Sequence, residues 1–400
     1  MPKSGSFIAA FIALIAVLAI APRFTQSAKA QGASGRTYIV YIGTYTSDGD
    51  PAKDTGSKGI YAYRFNAASG QITDLGLVAT SDQPSFIAAD PANKYLFAAN
   101  ESQTYQGRPS GGVSSFSIDK TTGKLTFVNE VASRGASPAH ITTDRTGKYV
   151  LVSNYDGGSL AVFPVDADGK LGDASDFVQH HGSGVDASRQ SAPHVHDTVM
   201  SPDNRFAVSA DLGLDEVFVY PFDAATGKLG AQPRAINITS GFGPRHLAFS
   251  ADGHYVYLLS ELSSVVTELP YDPSNGAMAV RQTLRLAPAS DTNAQKSGAE
   301  IAVSPSGKFV YASNRFDNLI GIFSVNPDNG NLTRTETVPL DGKTPRNFAI
   351  DPAGQWLWEA NQDSDSVILY RIDPKNGGLM PSGLTLKVPA PTCVLFVPVS

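Results

Sequence analysis

The sequence predicts an all-β fold, and three observations carry this prediction. A pattern of strand, tight turn and strand recurs, with its turn residue at Asn93, Gly147, Asn204, Gly253, Gly307 and Gly354. Turn follows turn at intervals of roughly 50 residues. A polar residue stands seven positions after each turn residue, and Pro or Gly stands nine positions before most of them. A period of this size, built from short strands, is typical of a β-propeller, in which four-stranded sheets surround a central channel.

The number of blades follows from the third strand of each repeat, which ends in a turn containing Gly. Its copies span 59–72, 112–125, 159–171, 216–229, 265–278, 319–332 and 366–379. Residues 391–400 resemble an inner strand with nothing after it, whereas residues 37–46 resemble a second strand with no first strand before it. We therefore expect seven blades of four antiparallel strands, closed by pairing of the last strand with the N-terminal strands.

The repeats fill the chain from about Thr37 to Ser400, so residues 31–400 are expected to form one domain. Residues 1–30 differ, with Lys3 near the start, an uninterrupted apolar run over 7–21 and an Ala-Lys-Ala cleavage signal at 28–30. This pattern predicts a secretory signal peptide, and a periplasmic or secreted protein that leaves the membrane after cleavage. The alternative is an uncleaved anchor, although the run is shorter than the roughly 20 residues of a membrane span.

Composition and the absence of several motifs argue against some classes of function. Only 17% of the residues are charged and the net charge is −6, which argues against general binding of nucleic acid. The sequence has no G-x-S-x-G, H-E-x-x-H or Cys-x-x-Cys motif, so a serine-hydrolase elbow and a zinc-protease site are disfavoured. No cofactor or metal is predicted. Cys393 is the only cysteine and looks like part of the core, and the oligomeric state cannot be read from the sequence.

Strand pairing about equivalent turns brings residues from distant repeats to the same end of every blade. The positions eight and seven before the turn, and eight after it, should form one mouth of the channel. They carry Ser85, Phe86 and Glu101; Ala139, His140 and Tyr155; His196, Asp197 and Leu212; Arg245, His246 and Glu261; Ala299, Glu300 and Arg315; and Arg346, Asn347 and Gln362. Because His, Arg and Glu occur in only some blades, we expect this mouth to recognise an asymmetric ligand. The polar residue seven after each turn recurs in every blade and is interpreted as structural.

Several of these side chains suit proton transfer. His194 and His196, in Pro-His-Val-His, alternate onto the same side of a strand, and a neutral imidazole can take a proton from water. Glu261 and Glu300 are candidate bases or orienting groups, since burial would raise their pKa and a nearby Arg would lower it.

Other residues suit binding. Arg245 and Arg315 could clamp an anion or stabilise an oxyanion, or could instead pair with Glu261 or Glu300. Arg346, Gln362 and His246 are expected to contact substrate or the rim. The loop that contains His180 and His181 is expected to fold over the channel rather than to bind metal.

The motifs resemble those of the seven-bladed propeller lactonase family, which includes propeller-type 6-phosphogluconolactonase and a fungal carboxy-muconate lactonizing enzyme. They are YIGTYT (41–46), PHVH (193–196), DLGLDEVFVY (211–220), GPRH (243–246), SELSS (260–264), AEIAVSPSGKFVYASNR (299–315) and ANQDSDSV (360–367). The resemblance covers nearly all of the chain after residue 36. It implies active-site roles for His194 or His196, Arg245, Glu261 and Arg315. The family usually has Asn at the position of Ser260.

The resemblance implies hydrolysis of a sugar lactone to its acid. Arg245 and Arg315 would hold the lactone and stabilise its oxyanion, while a histidine or Glu261 deprotonates water. Export favours an unphosphorylated aldonolactone or a carboxylated lactone, because phosphorylated gluconolactone is a cytosolic metabolite. Two alternatives remain open: a non-catalytic propeller that binds a partner at the cell envelope, and a cycloisomerase that forms a lactone from a muconate.

Overall fold

The computed structural model describes residues 1–2, 37–47, 54–288 and 296–399. The expected signal peptide lies outside the described residues, apart from Met1 and Pro2, and stays a prediction. In the described part of the chain, no helix has the length and apolar character needed to cross a membrane.

Seven antiparallel sheets form the blades, each with its first strand at the channel and its fourth at the periphery. Blade 1 comprises Pro391–Pro398, Thr37–Thr44, Gly59–Asn66 and Gln71–Thr80, in order from the channel outward. Blade 2 comprises Pro84–Ala89, Tyr95–Asn100, Gly112–Ile118 and Leu125–Ala132. Blade 3 comprises Pro138–Thr143, Tyr149–Asn154, Ser159–Pro164 and Asp176–Gln179. Blade 4 comprises Val195–Met200, Phe206–Asp211, Glu216–Asp223 and Arg234–Asn237.

Blade 5 comprises Pro244–Phe249, Tyr255–Ser260, Val265–Asp272 and Gln282–Arg285. Blade 6 comprises Gly298–Val303, Phe309–Asn314, Leu319–Val325 and Leu332–Pro339. Blade 7 comprises Pro345–Ile350, Trp356–Asn361, Ser366–Ile372 and Leu379–Lys387. Short strands Lys228–Leu229 and Ala277–Met278 extend blades 4 and 5, and Thr104–Tyr105 pairs with Arg108–Pro109. One 3-10 turn spans Gln362–Ser364. This arrangement confirms the predicted seven-bladed, four-stranded fold.

The ring closes as the sequence predicted. The C-terminal inner strand Pro391–Pro398 pairs antiparallel with Thr37–Thr44, and Ile42 lies opposite Val394. Each inner strand also contacts the inner strands of both neighbouring blades, including those of blades 1 and 2 and of blades 7 and 1. Closure therefore completes blade 1 with a fourth strand from the opposite end of the chain, so that it matches the other six described blades.

The core lies between the blades. Within the described residues, seven buried apolar clusters occur, one at each interface between neighbouring blades. The strand Tyr149–Asn154 is buried along its whole length, because both faces of its sheet pack against another blade. This two-sided burial explains why the second strands read as nearly continuous apolar runs.

The turn and the bulge of each repeat position the channel mouth. The six aligned turn residues all have a positive φ, a conformation that Gly and Asn adopt more readily than other residues. The inner strands of blades 2 to 7 all show a register shift just after their first residue, as between Pro84 and Phe86 and between Pro244 and His246. Such a β-bulge inserts an extra residue and re-aims neighbouring side chains. In these two blades the extra residues are Ser85 and Arg245.

Candidate functional site

The bulged ends of the inner strands converge on the channel mouth. A small cavity there is lined by Ser85, Phe86, Glu101, Ala139, Arg245, His246, Arg346, Asn347 and Thr392. All of these except Thr392, which belongs to the closing strand, occupy positions that the repeat alignment assigned to the mouth. The structure thus brings together side chains from blades 1, 2, 3, 5 and 7, as predicted.

Glu261 is the common partner of three arginines. Its Oε2 lies 2.9 Å from Nε of Arg245 and 3.0 Å from Nη2 of Arg315, and its Oε1 accepts from Nη2 of Arg189 at 2.6 Å. Burial alone would raise the pKa of Glu261, but the three guanidinium groups outweigh it and hold this pKa far below its ordinary 4.5. Glu261 is therefore a fixed counter-ion and a poor proton acceptor.

Arg245 is the most deeply buried of these arginines, with 2% of its surface exposed. Burial, together with the charge of Arg315, lowers the pKa of Arg245 to about 10, so the group stays charged at neutral pH. Besides Glu261, Arg245 donates to the carbonyl oxygen of Ala299 in the next blade. These contacts fix the guanidinium at the floor of the mouth.

Arg346 lies on another side of the mouth, among blades 1, 2 and 7. Its Nη2 donates to the hydroxyl of Tyr45 at 2.6 Å, and its Nη1 lies 3.5 Å from Oε1 of Gln362. The Tyr45 hydroxyl donates to Glu101 at 2.8 Å. Burial alone would lower the pKa of Arg346. The nearby Tyr45, Glu101 and Glu261 have the larger combined effect and raise this pKa. Arg346 and Gln362 therefore belong to one network, which borders a larger cleft.

His194 and His196 both contact Tyr155. His194 directly precedes the inner strand of blade 4 and stacks on the Tyr155 ring, with centroids 4.4 Å apart, while His196 meets it edge-on at 5.4 Å. Nδ1 of His194 lies 3.0 Å from the Tyr155 carbonyl oxygen. Because a carbonyl only accepts, Nδ1 donates this hydrogen bond, and in the neutral ring Nε2 is then the proton acceptor. His194 is therefore held in a tautomer that can accept a proton.

Burial, reinforced by Arg245 and His246, holds the pKa of His196 well below 6.5, so this ring is neutral. The rings of His196 and His246 are 5.1 Å apart. Nδ1 of His246 lies 3.1 Å from Oε1 of Glu300, whose other oxygen accepts from the Asn347 amide. Burial raises the pKa of Glu300 to about 7, close to neutral pH.

A second histidine–carboxyl pair is formed by His140 and Asp197, 3.0 Å apart, although the two atoms are not aligned for a hydrogen bond. Burial lowers the pKa of His140 well below 6.5, so its ring is neutral, and raises that of Asp197 well above 3.8, which disfavours the charged form of this carboxyl. The Phe86 ring packs on His140 with centroids 4.2 Å apart. This pair adds polar surface to the channel.

The loop after blade 3 contributes directly to the site. His180 is buried between Asp211 and Tyr220, each 2.7 Å from one of its ring nitrogens, and Asp211 also accepts the backbone N–H of His194. The same loop places Arg189 against Glu261. No group of three or more His, Cys, Asp or Glu side chains in the described ranges could hold a metal ion.

Several buried polar atoms at the mouth have no hydrogen-bond partner in the described part of the chain. They include Nε of Arg315, Nε2 of His246, Nδ1 of His196 and Oγ of Ser85. An unsatisfied buried polar group costs about 1–3 kcal/mol, so a ligand that pairs with these atoms would relieve that cost. Arg189, Tyr155 and Tyr45 complete the site but were not predicted as functional. Tyr155 had a signal, since it occupies an aligned mouth position, and Tyr45 lies in the motif YIGTYT (41–46).

Comparison with known proteins adds an independent observation. The family model described as "Lactonase, 7-bladed beta-propeller" matches residues 39–396. The chain belongs to the seven-bladed β-propeller lactonase family. This propeller lactonase is 33% identical to a 6-phosphogluconolactonase of Bacillus subtilis, across 90% of this chain and 98% of that protein. It is 36% identical to a 6-phosphogluconolactonase of Formosa agariphila, across 77% of this chain and 85% of that one.

A solved structure gives a further comparison for this propeller lactonase. The periplasmic gluconolactonase of Pseudomonas aeruginosa superposes with a TM-score of 0.83 and 33% sequence identity. The match covers 91% of this chain and 100% of that one. The resemblance inferred from the motifs is thus confirmed at the level of the family.

Proposed function

We propose that this protein hydrolyses the lactone of a sugar to the corresponding acid. The observation that carries the proposal is the set of unpaired buried atoms on Arg315, His246 and His196, grouped around Arg245 and its counter-ion Glu261. The two relatives named 6-phosphogluconolactonase and the one named gluconolactonase support lactone hydrolysis. Among the sequence-based alternatives, lactone hydrolysis best fits a mouth with fixed cations and neutral imidazoles.

In the proposed reaction, a histidine removes a proton as water attacks the lactone carbonyl carbon. The carbonyl oxygen becomes an oxyanion beside Arg245 and Arg315, whose charges are already in place. Collapse of this intermediate breaks the bond to the ring oxygen, which takes the proton back from the histidine. Glu261 holds the arginines, since its own low pKa makes it a weak base.

We assign the base to His194, because Nδ1 donates to the Tyr155 carbonyl and Nε2 is then the proton acceptor of the neutral ring. His196 is the other candidate, and its neutral ring with an unpaired Nδ1 suits substrate contact. Separate variants distinguish the two roles. His194→Asn should lower kcat at least 100-fold, whereas His196→Asn should mainly raise KM. The opposite result would transfer the role of base to His196.

The activity is tested with glucono-1,5-lactone, by following acid release above the spontaneous rate. Arg245→Met is expected to lower kcat by about 100-fold, in line with loss of an oxyanion contact. The matched control is His254→Ala, which changes an exposed histidine beside the turn residue of blade 5. Proton release no faster than in buffer, from a folded protein on any sugar lactone, would refute the proposal.

We also propose that the protein acts outside the cytoplasm, after removal of residues 1–30. The charge and apolar pattern of these residues supports this, as does the periplasmic relative. Expression of the full chain in a Gram-negative host should place it in the periplasm, with an N-terminus at Gln31 by mass spectrometry. An intact N-terminus in the cytoplasmic fraction would contradict this, and Ala28→Glu with Ala30→Glu should block cleavage.

A further inference from the structure

A large cleft opens beside the channel mouth, among blades 1, 2, 3 and 7. It has a volume of about 990 Å³. We call it the polar cleft, and among its lining residues are Tyr45, Asp82, Gln103, Asp156 and Gln362. Glu101 and Arg346 line both the polar cleft and the cavity at the mouth, so the two spaces are adjacent and share these side chains. A ligand held at the mouth could therefore extend into the cleft.

The walls of the polar cleft are already fixed by hydrogen bonds. The Gln83 side chain accepts from the backbone N–H groups of Thr46 and Ser47 and donates to the Ser47 carbonyl at 2.8 Å. The Thr46 hydroxyl donates to Asp82 at 3.0 Å, and the Ser137 hydroxyl donates to Asp156 at 2.6 Å. Ordered hydroxyl, amide and carboxylate groups suit a ligand that carries many hydroxyl groups.

The charges of the polar cleft disfavour a phosphate. Among the described residues, its lining contains four carboxylates, at Asp54, Asp82, Glu101 and Asp156, and two cations, Lys58 and Arg346. Lys58 is paired with Asp54 at 3.1 Å, and Arg346 binds Tyr45. A phosphate would enter an excess of negative charge, whereas a neutral sugar would donate hydrogen bonds to the carboxylates.

From this geometry we infer that the polar cleft is a subsite for a second, uncharged sugar ring attached to the lactone. The substrate class is then the aldonolactone of a disaccharide or a longer oligosaccharide. This inference rests on the proposed lactonase function and adds the substrate class. The lactone ring lies at Arg245 and Arg315, and the attached sugar lies against Glu101, Gln103 and Asp82.

The test compares three lactones: glucono-1,5-lactone, lactobiono-1,5-lactone and 6-phosphoglucono-1,5-lactone. Lactobionolactone is expected to give a kcat/KM at least tenfold above that of gluconolactone, and the phosphorylated lactone a value below both. Gln103→Trp places a bulky ring in the polar cleft from an exposed position. It should lower kcat/KM for lactobionolactone at least tenfold and leave gluconolactone within twofold.

The matched control is Thr126→Trp, on the exposed outer strand of the same blade, which should change neither value. Equal turnover of gluconolactone and lactobionolactone would overturn the inference and leave the lactonase function standing. Preference for the phosphorylated lactone, or an equal effect of Gln103→Trp on both neutral lactones, would also overturn it. Failure to hydrolyse any of the three would overturn both proposals.

Discussion

At the scale of single residues, the arginines around Glu261 differ in what they contribute. Arg245 is 2% exposed, so its charge depends on the carboxylate for compensation, while the side chain of Arg189 is 41% exposed and is partly solvated by water. Breaking a buried ion pair leaves an unpaired charge in a medium that solvates it poorly, whereas exposed pairs contribute little. Glu261 therefore compensates the buried charge of Arg245, whereas its contact with Arg189 mainly orients that side chain.

This difference predicts unequal effects on stability. Glu261→Gln should lower the free energy of unfolding by about 3–5 kcal/mol, because it leaves Arg245 buried without its counter-ion. Arg189→Gln, the matched control, removes a half-exposed partner and should cost less than about 1 kcal/mol. Urea unfolding followed by tryptophan fluorescence measures both. Similar losses for the two variants would show that Arg245 does not depend on Glu261.

The sequence predicted which side chains meet at the mouth and left the pairing of Arg245 and Arg315 open between Glu261 and Glu300, which the structure resolves in favour of Glu261. Alignment on the turns sufficed to place Arg245, His246 and Arg346 at the mouth, since strand register depends on local pairing. Arg189 escaped prediction because its loop has no equivalent in the other blades. The choice among His194, His196 and Glu261 also needed coordinates, since it depends on which groups lie within hydrogen-bond distance.

At the scale of strands, blade 7 contains a buried carboxyl within a second strand whose other residues are mostly apolar. Glu359, in Trp356–Asn361, is fully buried, with the polar side chains of Asn361 and Tyr370 beside it. Burial raises its pKa from 4.5 to about 8. The native state therefore retains a proton that the unfolded chain releases at lower pH.

This raised pKa predicts a pH-dependent loss of stability. Below about pH 4.5 both states bind the proton, and between 4.5 and 8 the native state alone binds it. The contribution of Glu359 should thus fall with rising pH by up to about 1.4 kcal/mol per unit and level off above pH 8. Urea unfolding is measured at pH 5, 6.5, 8 and 9. The free energy of unfolding of Glu359→Gln should rise relative to that of the wild type between pH 5 and 8. Exposed Glu336→Gln is the control, and parallel profiles for the wild type and Glu359→Gln would contradict the prediction.

At the scale of the whole molecule, the fold was predictable because seven copies of one pattern constrain one another. The incomplete repeats at the two ends predicted closure, and the pairing of Pro391–Pro398 with Thr37–Thr44 confirms it. The polar cleft was not predictable, because it depends on how segments outside the repeats, such as Thr104–Pro109, lie beside the mouth.

Closure makes the last strand essential to the ring. Deletion of residues 391–400 would leave Thr37–Thr44 without its partner and would remove the buried side chains of Cys393, Val394 and Val397 from the core. We expect this truncated chain to lose the cooperative unfolding transition and to aggregate. Deletion of Ser400 alone should be neutral. Circular dichroism and size-exclusion chromatography measure both, and a soluble, cooperatively unfolding truncated chain would contradict the expectation.

The bulge repeated at the start of six inner strands also matters for how such a protein can diverge. Each bulged residue lies outside the regular hydrogen-bond ladder, so the backbone tolerates many side chains there. Ser85, Ala139 and Arg245 already show how much this position varies within one chain. New ligand preferences could therefore arise by exchanging one side chain at a time around the ring, with little disturbance to the scaffold that presents them.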